Sequence, residues 1–74
     1  MSPALSDLPL RKITRVIESL SFRYVRTTGS HAVYRHPDRR AVVIPHHATV
    51  KRGTLASILR QAGIKPGEFR ELLN

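Results

Sequence analysis

The chain has no cysteine and no tryptophan, and its 13 lysines and arginines face only 5 acidic residues. Without cysteine there is no disulfide, no thiolate ligand for zinc and no thiol nucleophile, so the fold must rest on packing, and a reducing cytoplasm suits it. No apolar run approaches the roughly 20 residues of a membrane helix, and the first residues lack a basic region followed by a long apolar core. A soluble protein, not exported and without a membrane partner, is expected. The carboxylates Asp7, Glu18, Asp38, Glu68 and Glu71 are scattered, leaving no evident pair for acid/base work or for holding magnesium. Two-metal nuclease chemistry is therefore not expected. Walker loops, dinucleotide-binding glycine motifs and the Gly-x-Ser-x-Gly elbow are all absent, which removes nucleotide-triphosphate hydrolysis and acyl transfer from consideration.

Positive charge is what the chain has in plenty: +8 at neutral pH over 74 residues. Such a balance favours a polyanionic partner, nucleic acid first. The cations are spread over helices, strands and loops rather than along one face of an amphipathic helix, which argues against a membrane surface. At this length one domain fits, with a thin core, because folding buries only about 60–65% of the surface the extended chain exposes. Residues 1–8 show no periodicity and read as a flexible lead-in, and residues 9–74 as the single domain.

Proline suits a first helical turn, and from Pro9 onward Leu10, Ile13, Ile17 and Leu20 recur at helical spacing, with Arg11, Lys12, Arg15 and Glu18 on the opposite side. Phe22 to Thr27 changes to aromatic, β-branched and basic residues and reads as a strand that ends at Gly29. His31 to His36 is a second strand, His36-Pro37-Asp38-Arg39 a turn, and Arg40 to Ile44 a third strand, antiparallel to the second because the connection is so short. A second helix follows Lys51-Arg52-Gly53, carries Leu55, Ile58, Leu59 and Ala62 on one face and stops at Gly63. Pro66 to Leu73 is a short third helix. The expected architecture is α+β, in the order α-β-β-β-α-α, with one three-stranded antiparallel sheet and its helices on one face. Strand parity puts Tyr34, Val42 and Ile44 toward the helices and His31 and Arg35 on the open side.

The stretch with the most chemistry is Gly29-Ser30-His31. A glycine that tolerates left-handed angles, a hydroxyl and a histidine at the start of a strand form a turn from which an imidazole can face a phosphate. Adjacent histidines such as His46 and His47 point apart on an extended segment, and no His-x-x-x-His spacing occurs, so no metal and no cofactor are expected. Imidazole and cations are enough for one reaction. The 2′-hydroxyl of RNA, activated by a histidine, attacks the neighbouring phosphorus while arginine or lysine stabilises the added negative charge. Lys51 and Arg52 at the start of the second helix oppose its dipole, a small penalty that a bound anion would offset.

Phe22 to Arg26 leading into Gly29-Ser30-His31, then Tyr34-Arg35-His36-Pro37, Ile44-Pro45-x-His47, Gly53-Thr54-Leu55 and Ile58-Leu59-Arg60-Gln61-Ala62-Gly63, together resemble the HicA (YcfA-like) family of messenger-RNA-cleaving toxins. The resemblance runs from about Leu8 to Leu73. It implies a fold like that of the double-stranded-RNA-binding domain, metal-independent endoribonuclease activity on mRNA with His31 catalytic, and a HicB-type antitoxin as protein partner. Three departures stand out: Ser21 where a glycine commonly ends the first helix, Arg52 where a proline commonly precedes Gly-Thr, and a shorter loop from His47 to Lys51. On this reading His31 is the general base or acid, Gly29 and Ser30 position phosphate, Arg26, Arg35, Lys51 and Arg52 bind the RNA backbone, and His47 is a second proton-transfer group. The competing expectations are a non-catalytic RNA-binding module on the same fold and an interaction domain that docks its basic face on an acidic protein.

Overall fold

A computed structural model describes residues 5–73. In chain order the elements are β1 (Leu8–Pro9), α1 (Leu10–Ser19), β2 (Arg23–Thr28), β3 (His31–Arg35), β4 (Ala41–Pro45), β5 (Thr49–Val50), α2 (Arg52–Ala62) and α3 (Pro66–Leu73). The main sheet has the order β2-β3-β4, antiparallel throughout, and β1 pairs with β5 in a separate two-residue ladder. The α+β architecture expected from the sequence, with a three-stranded antiparallel sheet, is the one observed.

One core joins the layers. Ile13, Val16 and Ile17 of α1, Leu55, Ile58, Leu59 and Ala62 of α2 and Phe69 of α3 meet Phe22, Ala32, Tyr34, Val42, Ile44 and Val50, all buried. Each such side chain, fully buried, is worth about 1.5–3 kcal/mol for the larger apolar types. As the alternation of the strands predicts, Ala32, Tyr34, Val42 and Ile44 point inward, while His31 and Arg35 are exposed.

The register fixes the opposite, outer face row by row. Arg23, Arg35 and Ala41 form one row, Arg26, Val33 and Val43 the next, and Thr28, His31 and Pro45 the last. Strict alternation along β2 would put Arg26 on the same side as Tyr24, which pairs with inward-facing Tyr34. A bulge between Tyr24 and Arg26 inserts Val25 as an extra residue and turns Arg26 to the face that carries His31.

The β1–β5 ladder, which has no counterpart in the sequence reading, ties the starts of two helices together. Leu8 pairs with Val50 and Pro9 with Thr49. The residue before each strand then caps the helix that follows the other. Ala48 accepts the Leu10 N–H that opens α1 at 3.1 Å, and Asp7 Oδ1 accepts the Arg52 N–H that opens α2 at 2.8 Å. Pro9 is thus the extended residue ahead of α1 rather than part of its first turn. Of the expected lead-in, residues 1–4 lie outside the described residues, whereas Leu5 and Leu8 pack against the core.

Both long helices close in the same way. In α1 Ser21 N–H bonds Glu18 O and Phe22 N–H bonds Ile17 O; in α2 Gly63 N–H bonds Arg60 O and Ile64 N–H bonds Leu59 O. Arg40 adds a further lock on α2: its Nη1 donates to the carbonyl of Ala62, its Nε reaches Asp38 Oδ2 at 2.7 Å, and its guanidinium lies 5.4 Å from the centre of the Phe22 ring. The Arg40 backbone N–H, foremost, and then its side chain hold the Asp38 carboxyl below the usual carboxylate range.

Candidate active site

An open cleft of about 500 Å³ lies where the β4 edge meets α2. Its strand side is formed by His31, Val43 and Pro45, its helix side by Gly53, Thr54, Ser57, Ile58 and Gln61, and His47 stands at its end. His31 reaches it because the Gly29–Ser30 turn, with Gly29 at φ +60, reverses the chain between Thr28 and His31, which pair across the turn. His47 reaches it because the segment after β4 is fastened to that same turn. His46 N–H donates to Ser30 O at 2.6 Å, and His47 N–H donates to Pro45 O at 2.9 Å. Both imidazoles are exposed, at one cleft, on backbone held from both sides.

The other two histidines stand apart from the cleft. His36 packs its ring against Phe22 with centroids 5.1 Å apart, and its Nδ1 lies 2.9 Å from Asp38 Oδ1 in the turn before β4. His46 contributes its backbone to the Ser30 contact and does not line the cleft.

The remaining residues singled out from the sequence are distributed around this point. Lys51 lies in an adjoining hollow that shares Pro45, His47 and Thr54 with the cleft. Arg52 borders another hollow, with Leu5, Ser6 and Asp7, on the far side of Gly53 and Thr54. Arg26 and Arg35 share the outer sheet face with His31 but line no part of the cleft, and neither do Gly29 and Ser30. The two cations at the start of α2, whose dipole penalty a bound anion was expected to offset, have the chain's own carboxylate of Asp7 beside them on the Arg52 N–H.

Thr54, Ser57 and Gln61 were not among the sequence-derived site residues. They follow one another at i, i+3 and i+7 along α2, a polar stripe that borders the buried Leu55, Ile58, Leu59 and Ala62. That stripe is the signal that would have found them. Gln61 also closes the sheet on this side: its Oε1 accepts the Val43 N–H at 2.8 Å.

Chemically the cleft offers two imidazoles for proton transfer, hydroxyl and amide groups on the helix wall, a partly apolar strand wall and Lys51 next to the opening. Among the described residues no helix is long and apolar enough to cross a membrane. No curated protein matches the chain. Residues 10–64, well over half of the chain and spanning α1 to the end of α2, match the family described as HicA toxin of bacterial toxin-antitoxin, and the chain belongs to that family.

Proposed function

We propose that this chain is the toxin of a type II toxin–antitoxin pair and acts in the cytoplasm as a metal-independent ribonuclease that cleaves messenger RNA. The observation that carries this reading is the presence of His31 and His47 at one cleft, in a chain of the HicA toxin family. His31, as general base, takes the proton of a 2′-hydroxyl. The freed oxygen attacks the adjacent phosphorus, and the 5′-oxygen leaves with a proton supplied by His47, giving a 2′,3′-cyclic phosphate and a 5′-hydroxyl end. No water or metal enters that step. Lys51 beside the cleft supports the charge that develops on the phosphate, and the Gly29–Ser30 turn, outside the cleft, aims His31 into it and offers backbone to a neighbouring phosphate. Arg26, Arg35 and Arg52 hold the strand on either side through its phosphates. The net charge of +8 fits both that substrate and an acidic HicB-type antitoxin that silences the enzyme by covering the same face.

The test is RNA cleavage in the presence of chelator by the parent chain and by His31→Ala, with RNA affinity and thermal unfolding measured on the same preparations. A positioned histidine is worth about 10²–10⁴-fold in such catalysis, so cleavage by the variant collapses. Binding persists, and stability stays within about 0.5 kcal/mol because His31 is exposed. Cleavage by His31→Ala at near the parent rate removes His31 from the mechanism. Tight binding without any cleavage by the parent favours the non-catalytic RNA-binding module.

A further inference from the structure

The α2 wall of the cleft carries the uncharged polar groups of Thr54, Ser57 and Gln61, and two of these are pinned in a definite sense. A backbone N–H can only donate, so the Val43 N–H at 2.8 Å obliges the Gln61 amide to present its oxygen to β4. Both hydrogens of the Gln61 Nε2 are thereby turned away from the strand. One turn earlier, Arg60 Nη2 donates to Ser57 Oγ at 2.9 Å. A guanidinium has no lone pair to offer, so Ser57 accepts there and its hydroxyl proton is left to donate elsewhere. Two neighbouring residues on one helix stripe, both lining the cleft, thus present donors. Opposite them, Val43 at 39% exposure and Pro45 offer apolar surface.

A phosphate is best held by charge, which Lys51 provides next to the other end, while at this end the Arg60 guanidinium is engaged by Ser57 Oγ. A flat apolar ring edged with acceptors suits this end, and a cleft of about 500 Å³ is large enough for one nucleotide. We propose that Gln61 and Ser57 form a base-reading wall that selects a purine offering two neighbouring acceptors. Guanine presents O6 beside N7 on one edge, whereas adenine replaces O6 by the N6 amino donor, which would meet the donors of the wall head-on. The proposal rests on the ribonuclease reading for its substrate class, and the experiment separates the two.

The probes are 2′-fluoro RNA oligomers, which lack the nucleophilic hydroxyl, with a single guanine or adenine moved through an otherwise uridine sequence. Affinities are measured for the parent, Gln61→Glu and Ser57→Ala. The parent binds the guanine series about tenfold tighter than the adenine series at one register. In Gln61→Glu the carboxylate still accepts the Val43 N–H, so thermal unfolding is unchanged, but the free donors become acceptors. The added negative charge weakens both series alike, and the guanine-to-adenine ratio falls to one or inverts. Ser57→Ala, at a position the sheet does not need, lowers the same ratio. A parent with no purine preference, or a folded Gln61→Glu that retains the parent ratio, overturns the proposal. Cleavage of unmodified oligomers is followed in parallel: a chain that selects guanine without cutting keeps its base-reading wall and loses the ribonuclease reading.

Discussion

Ser21 and Gly63 hold the same left-handed backbone angle, φ +74, in the same pair of closing hydrogen bonds at the ends of α1 and α2. Gly63 does so without cost, and a Cβ there would lie 3.0 Å from Arg40 Nη1. A residue with a Cβ in this conformation is strained by about 1–2 kcal/mol, and glycine gives back about 0.4–1 kcal/mol through the greater freedom of the unfolded chain. Ser21→Gly is therefore expected to stabilise the protein by about 0.5–1 kcal/mol, read as a higher denaturant midpoint with an unchanged slope. A lower midpoint would show that the serine is not strained.

The bond from the Arg52 N–H to Asp7 spans 45 positions of the chain and supplies α2 with the N-terminal acceptor that Lys51, the residue before it, cannot offer. Loss of such an acceptor typically costs about 0.5–2 kcal/mol. Asp7→Ala should lower stability within that range, and Asp7→Asn, which keeps a carbonyl oxygen, should lose less. Equilibrium unfolding of the three proteins decides it. Equal stability of Asp7→Ala and the parent would mean that solvent caps α2 equally well.

If Lys51 and Arg52 contact RNA phosphates, the logarithm of affinity falls linearly with the logarithm of salt concentration, and replacing both by alanine flattens the slope by about one to two units. The substitution leaves the Arg52 N–H and its bond to Asp7 in place, so folding is preserved. The measurement is a salt titration of RNA affinity for the two proteins. An unchanged slope would move the phosphate contacts to Arg26 and Arg35 on the sheet.

The sheet was legible because Tyr34, Val42 and Ile44 alternate with less buried neighbours, and the helices because their apolar residues keep a helical period through Phe69. The exposed place of His31 at the start of β3 was legible from the Gly29–Ser30 turn in front of it. The two-residue ladder of Leu8–Pro9 with Thr49–Val50 was not, since two residues carry no period and the pairing joins distant parts of the chain. Nor was the face of Arg26: the bulge at Val25 has no composition of its own, and only the paired register reveals it. Gln61 escaped for a related reason. Its place in the cleft depends on the Val43 N–H being left unpaired by β3, which is a property of the sheet edge rather than of the helix that carries the amide.

Arg23 and Arg35 sit directly opposite each other across β2 and β3, with Arg26 in the next row. Like charges facing each other on a ladder work against the pairing that holds them. The outer face of the sheet thus carries an electrostatic penalty at this row, and a polyanion laid across it would relieve the repulsion while gaining its own attraction. Occupancy and fold stability are coupled through that row. A bound polyanion would raise resistance to unfolding, and added salt, by screening the row, would weaken the repulsion in the free chain.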